Sequence, residues 1–399
     1  MVGAGSRSRH LLPERGAGLD SADPGSQNAH GEMSTTTNEE IMRRLLLAAG
    51  AACAMMFAFG VANAGDDLVL NRNAAIEFAT LPNGVRYPEG IAANPATGDV
   101  FVATFDFGPN ANKLMRFTKN GKLAAVRDFG GTPMLGLDFD PAHGKVYVLN
   151  LGASKVQRIA ANFDAHTPVE DVAVVPNIGA PGPRTSANPD GSSDITTFGS
   201  NGFPAPNAMV FDHSGNLYLS DSFQGAVFRI DNAKGCATPC AVNLVSHDTL
   251  LGTAGFPPFG ANGLALNSDE TALYIANTGD QRVLKMDLAT KVVSVFAVSI
   301  NGADGIAFDE AGRLWVAANQ ADEIVALNGS GRIIARLGEF QGIRKDGTPD
   351  GLLFPASIVI VGDWMYVTNL ALPLTGLPGA EPEADVTRWT VSRIKMPKH

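Results

Sequence analysis

Four short stretches place an oxygen-bearing side chain at the same point of a recurring pattern. These are Glu89 in "PEGIAANPATGDVFVAT", Asn207 in "NAMVFDHSGNLYLSD", Asn262 in "NGLALNSDETALYIAN" and Asp304 in "DGIAFDEAGRLWVAAN". In each, the polar residue heads an apolar alternating run, which is followed by a turn and a second apolar run. Burying two carboxylates near one another costs several kcal/mol unless a cation compensates. Two acids and two neutral amide carbonyls match a divalent cation and leave coordination positions for water and substrate. An all-oxygen donor set suits Ca²⁺ best, with Mg²⁺ or Mn²⁺ as alternatives. Zn²⁺ is a further alternative, although it prefers nitrogen and sulfur.

The elements that would bring these residues together follow from the repeat. Two more segments share the design, "LGLDFDPAHGKVYVLN" from Leu135 and "ASIVIVGDWMYVTN" from Ala356. Intervals run from 42 residues (Asn262 to Asp304) to 72 (Leu135 to Asn207), which fits a propeller blade plus variable loops. Third runs such as "RVLKMDL" and fourth runs such as "KVVSVFAV" complete four short antiparallel strands per unit. The expected fold is therefore an all-β, six-bladed β-propeller over roughly residues 66–399. "AAIEFATL", Ala74 to Leu81, is placed to complete the last blade beside "VTRWTVSRI", so that neither end of the ring leaves a bare sheet edge. In such a ring the first residues of successive inner strands converge at one mouth of the central channel.

Taken singly, Asn262-Gly263 and Asp304-Gly305 read as turn dipeptides. Their coincidence with Glu89 and Asn207 at one phase of the repeat favours a shared site. The polar residues midway through the units, Asn94, Asp140, Asp212, Asn267 and Asp309, read as hairpin-turn formers. Asn150, Asp221, Asn277, Asn319 and Asn369 follow the second strands and return to the same mouth. They either orient the ligands, touch substrate, or cap strand ends. His143, His213 and His247 fall in turns or near a strand end, and neither a Gly-rich phosphate loop, a nucleophile elbow nor a Cys/His dyad is present. Two polar interruptions, from Asp164 to Pro204 and from Ala371 to Asp385, are expected on the face where the inner strands begin. The first is expected to act as a lid.

The 399-residue chain is 45% hydrophobic, enough to bury a large core, and its 44 Gly and 24 Pro suit many tight turns. A formal charge of -10 argues against a nucleic-acid partner, because a phosphate backbone would be repelled. Met42 to Ala64 has Arg43 and Arg44 before an apolar run and ends in Ala62-Asn63-Ala64, the three-part pattern of a signal peptide. The mature protein is then expected in the periplasm or secreted, without a stable membrane anchor. Gly50 stands where a lipoprotein signal ahead of Cys53 would want a Leu-like residue, which argues against lipidation. Residues 1–41 are polar and patternless, as an upstream start codon assigned in error would leave them. Export leaves Cys236 and Cys240 as the mature cysteines, expected to pair across a short loop on the face opposite the site.

With these motifs in place, the chain resembles the senescence marker protein, regucalcin and gluconolactonase family of six-bladed propellers. "PEG" at Glu89, "NGLAL" at Asn262 and "ADGIAFDEAGRLWVA" at Asp304 carry the resemblance, and Asn207 falls where the family has a further Asn. Ala208 stands where an Asp-Gly would be commoner. The resemblance implies a metal-dependent hydrolase of a lactone or related ester. Glu89, Asn207, Asn262 and Asp304 would then hold the metal, with Asp304 as general base or nucleophile. Two other propeller types compete. "KDGTPDGLLFPASIVI" resembles the lead-in of the non-catalytic NHL repeat, and the strictosidine-synthase type shares the fold without this ion site.

Overall fold

The computed structural model describes residues 74–109, 111–199, 203–377 and 379–397. The segment 1–41 and the signal-like stretch 42–64 lie outside the described residues. Six four-stranded antiparallel sheets follow one another along the chain, so the expected six-bladed propeller is the fold. Five blades are built from consecutive strands. The sixth consists of Pro355–Val361, Trp364–Asn369 and Thr390–Lys395, with Ile76–Thr80 from the other end of the described chain paired at its outer edge.

The inner strands are Pro88–Ala93, Met134–Asp140, Pro206–Phe211, Ala261–Leu266, Ala303–Phe308 and Pro355–Val361, each packed against the next around the ring. All six break register in the same place. Pro88 faces Thr104 while Ile91 faces Val102, so three steps on the inner strand match two on its neighbour, and the other five blades repeat the irregularity. Such a bulge bends the strand and re-aims a side chain. The first residues inside the bulges are Glu89, Leu135, Asn207, Asn262, Asp304 and Ala356.

The bulges also explain the recurring glycines. A Cβ at Gly90 would lie 2.0 Å from the Leu135 carbonyl oxygen, and one at Gly263 would lie 2.2 Å from that of Asp304. Neither glycine has a left-handed backbone. They are present because neighbouring inner strands approach too closely for any side chain, and not because a hairpin turns there. The true turns lie at the other ends of the strands. Asp212, Asn267 and Asp309 accept backbone N–H bonds from residues two to five positions on.

Between blades the core is apolar and rich in aromatics. Phe101 stacks with Phe139 at 5.9 Å, Tyr147 meets Phe211 edge-on at 4.9 Å and Tyr274 meets Phe308 at 5.0 Å. Trp315, fully buried, packs with Ile358 and Met365 of the sixth blade. Each such side chain contributes about 1.5–3 kcal/mol of burial, which fixes blade against blade and so fixes the spacing of the bulge residues.

Two hairpins lie outside the blades. Arg184–Ala187 pairs with Ser193–Thr196 inside the first long insertion, and Phe340–Ile343 pairs with Pro349–Gly351 before the last blade. Cys236 and Cys240 are joined by a disulfide, Cα–Cα 5.7 Å, in the loop between the third and outer strands of the third blade.

Candidate functional site

One pocket of about 410 Å³, counting the space open to solvent, sits at the mouth where the inner strands begin. Its floor holds Glu89, Asn207, Asn262 and Asp304 together with Thr278 and Asn319. The four head residues are 2–5% exposed. Residues separated by up to 215 positions in sequence, Glu89 and Asp304, therefore share one small volume.

Hydrogen-bond accounting settles which way the amides face. The Ser222 hydroxyl donates to the Ala261 carbonyl (2.8 Å), and the Thr278 hydroxyl donates to the Ala303 carbonyl (2.7 Å). A hydroxyl has one proton, so toward the asparagines each can only accept. Asn207 Nδ2 donates to Ser222 Oγ at 2.8 Å and Asn262 Nδ2 donates to Thr278 Oγ1 at 2.9 Å. Both amide oxygens are thereby left toward the channel.

The acids are held in a similar way. Asn319 Nδ2 donates to Asp304 Oδ2 at 3.0 Å, leaving Asp304 Oδ1 buried and without a hydrogen-bond partner among the described residues. Glu89 Oε2, Asn207 Oδ1 and Asn319 Oδ1 share that condition. Burial pushes the Asp304 carboxyl up to about 7, although hydrogen bonds from Asn319 and Asn262 pull it partly back. Burial, and then the charge of Asp304, hold the Glu89 carboxyl well above the usual carboxylate range. The two acids compete for ionisation and titrate as a pair.

Native proteins satisfy nearly all buried polar atoms, so several unpartnered oxygens on residues lining one pocket require an explanation. A divalent cation fits them: the donors are all oxygen, two carry charge, and their orientation is fixed by bonds on the far side. Among the described residues no three His, Cys, Asp or Glu come together, so the donor set is half amide.

The polar residues after the second strands divide into two groups. Asn319 faces the pocket. Asp221, Asn277 and Asn369, expected to orient ligands, touch substrate or cap strand ends, do not line the pocket, and none of their described side-chain bonds reaches Glu89, Asn207, Asn262 or Asp304. Asp221 binds the Phe223 and Gln224 N–H groups and the Gln224 side chain. Asn277 donates to the Leu250 and Gly252 carbonyls and accepts from Asp280 N–H. Asn369 donates to Thr390 and Ser392 and accepts from Leu353 N–H. Asn150 likewise caps a short 3-10 turn through Ala153 N–H. Capping is the role their bonds fit. Sequence reasoning missed Ser222 and Thr278, which lie one residue beyond Asp221 and Asn277.

The expected lid is also corrected. No described residue of the Asp164 to Pro204 insertion lines the pocket. Arg184 instead pairs with Asp280 of the fourth blade at 2.8 Å, and Asp280 is also held by Thr253 and Arg282. Pro181 and Phe198 lie over Gly252. The insertion straps down the loop that carries Pro257 and Phe259, and those two residues do line the pocket. The second insertion contributes directly through Leu372 and Leu374.

Fold and site together define a six-bladed propeller with an acidic, oxygen-lined channel mouth. Residues 259–338 match the family model described as SMP-30/Gluconolactonase/LRE-like region, which supports over that stretch the family resemblance expected from the sequence. Asn262, Asp304 and Asn319 lie within the matched stretch. Among solved structures, the chain is similar to a luciferin-regenerating enzyme, with 15% identity over 79% of this chain and 94% of the other and a TM-score of 0.55. It is similar to regucalcin, a calcium-binding protein, from Agrobacterium tumefaciens, with 15% identity over 79% and 93% and a TM-score of 0.52. It is also similar to a gluconolactonase from Xanthomonas campestris, with 14% identity over 80% and 88% and a TM-score of 0.50. At these identities the likeness is one of fold. No curated protein matches the chain.

Proposed function

We propose that the protein is an exported, metal-dependent hydrolase of a lactone or related ester, with Ca²⁺ as its first-choice ion. Glu89, Asn207, Asn262 and Asp304 would hold the ion. The observation that carries this reading is the set of buried, unpartnered oxygens, Glu89 Oε2, Asn207 Oδ1 and Asp304 Oδ1, on or beside two carboxyls that burial raises, Glu89 further by the charge of Asp304. A purely structural ring would have no use for that arrangement, which costs stability wherever it stays empty. When bound, a divalent cation offsets the two charges and supplies Lewis acidity toward a substrate carbonyl.

The remaining chemistry belongs to the chain. Asn319 pins Asp304 Oδ2, which leaves Oδ1 aimed into the pocket. Oδ1 is then the atom that takes a proton from attacking water or itself attacks the acyl carbon. Ser222 and Thr278 keep the amide oxygens of Asn207 and Asn262 facing inward through every turnover. Phe105, Phe354 and Leu370 flank the floor and limit bulk water there.

Metal analysis and titration calorimetry of the purified protein test the reading, with lactone turnover followed in parallel. The parent chain is expected to bind a divalent cation and to hydrolyse lactones only when loaded. Glu89→Gln is expected to weaken binding and abolish turnover. A Glu89→Gln protein that kept the parent rate would sink the proposal. For export, the fraction outside the cytoplasm is expected to begin at Gly65, and amino-terminal sequencing reads this directly.

A further inference from the structure

We infer that the substrate is a lactone carrying an apolar substituent, alkyl or aryl, and not a polyhydroxylated sugar lactone. This rests on the hydrolase reading and concerns what lies above the ring of oxygens. Among the described residues the polar lining of the pocket is Glu89, Asn207, Asn262, Thr278, Asp304 and Asn319, the heads and supports of the inner strands. The rest of the lining is carbon, chiefly Phe105, Phe259, Phe354, Leu370, Leu372 and Leu374. Among the described residues no Lys, Arg or His borders it. Thr278 has already used its hydroxyl proton on Ala303 and accepts from Asn262. A substrate hydroxyl pointing at these walls would leave water and find no partner, whereas an alkyl or aryl group would gain burial.

A second observation extends the apolar surface past the rim. Phe107 meets Phe105 edge-on at 4.9 Å, Phe105 meets Phe259 at 6.3 Å, Phe259 meets Phe223 at 5.4 Å and Phe223 meets Phe203 at 5.5 Å. This row of rings passes through the pocket wall and emerges at both ends, with Phe107 72% and Phe203 44% exposed. On the second insertion, Leu377 is 63% exposed, beyond Leu372 and Leu374 in the chain. A substituent too long for the pocket would continue over carbon.

Hydrolysis itself adds one water across the ring acyl C–O bond. The hydroxyl goes to the acyl carbon, the proton ends on the former ring oxygen, and a hydroxy acid leaves. The substituent takes no part in that balance, so it changes selectivity without changing the reaction.

The test compares δ-dodecalactone with glucono-δ-lactone on the full Ca²⁺-loaded protein, by kcat/KM and by calorimetric binding to Asp304→Asn. The alkyl lactone is expected to lead by at least ~100-fold in kcat/KM. Phe259→Ala, and independently Leu374→Asp on the second insertion, are expected to lower its kcat/KM by ~10-fold or more and to shrink its lead over glucono-δ-lactone accordingly. Equal or better turnover of the sugar lactone overturns the inference and leaves the hydrolase reading standing. Binding of the alkyl lactone that depends on Phe259 and Leu374, with no hydrolysis of either compound, retains the apolar ligand and removes the hydrolase reading. Failure of the alkyl lactone to bind overturns the inference outright.

Discussion

Two sets of buried polar residues lie one position apart in phase at the same end of the propeller, and they differ in one respect. Asp221, Asn277 and Asn369 have partners on every side, supplied by the loops they anchor. Glu89, Asn207 and Asp304 each retain an oxygen with none. Residue type does not separate the sets, since both contain acids and amides. What separates them is satisfaction: side chains that hold the fold together complete their bonds within the protein, and those that await a ligand leave one open.

The contrast predicts opposite responses to substitution. Asp304→Asn removes an acid that is costly to ionise, and with it the group proposed to handle the proton. Turnover should fall by ~10²–10⁴-fold, while the ion-free protein at neutral pH becomes more stable. The same acid gives the parent a pH signature. Its carboxyl sits near 7 in the fold against an ordinary value of 3.8. The fold therefore binds the extra proton, and stability present below about pH 4 is lost as pH rises through about 7. Thermal melts of chelator-treated protein should show this decline, and added Ca²⁺ or Asp304→Asn should flatten it. A parent protein whose melting temperature is indifferent to pH and Ca²⁺ over this range would contradict the comparison.

Asn369→Ala should act the other way, lowering stability by about 3 kcal/mol by stranding buried partners, with Ca²⁺ affinity intact. Denaturant melts and calorimetry together separate the two effects. Thr278→Val tests the step between the sets. It frees the Asn262 amide to turn and strands the Ala303 carbonyl, so ion affinity should drop ~10-fold or somewhat more alongside a stability loss of about 1–2 kcal/mol. Arg184→Leu should have the smallest effect. Asp280 keeps Thr253 and Arg282, so about 1 kcal/mol is expected, with catalytic constants close to the parent's because no described residue of the strap reaches the pocket.

Much of this was legible in the sequence. Alternation and spacing give the blades, and the closing strand follows from the need to cover an edge. The shared phase of Glu89, Asn207, Asn262 and Asp304 identifies the residues that the structure gathers into one pocket. Asn319 was grouped with Asn277 by type, although it pairs in phase with Thr278. Hairpin turns of different length hide the register: 15 residues separate Asn207 from Ser222 and Asp304 from Asn319, but 16 separate Asn262 from Thr278. The recurring glycines looked like turn residues because the sequence records that a small residue is needed and not which backbone crowds it. The apolar wall was invisible for another reason. Phe259, Leu372 and Leu374 come from loops without periodicity, and their position depends on what straps or buttresses those loops.

The edge pairing of Ile76–Thr80 with Thr390–Lys395 has a consequence for assembly. Glu89 lies just inside the first blade and Asp304 in the fifth, and Thr368 of the last blade donates to the Glu89 carbonyl across the junction at 2.8 Å. The acidic pair thus spans the place where the circle is fastened. Until the first and last described strands meet, half of the charge has no counterpart, so ion capture would report on a completed ring, and removing either of those two strands would silence the centre without touching a residue in it.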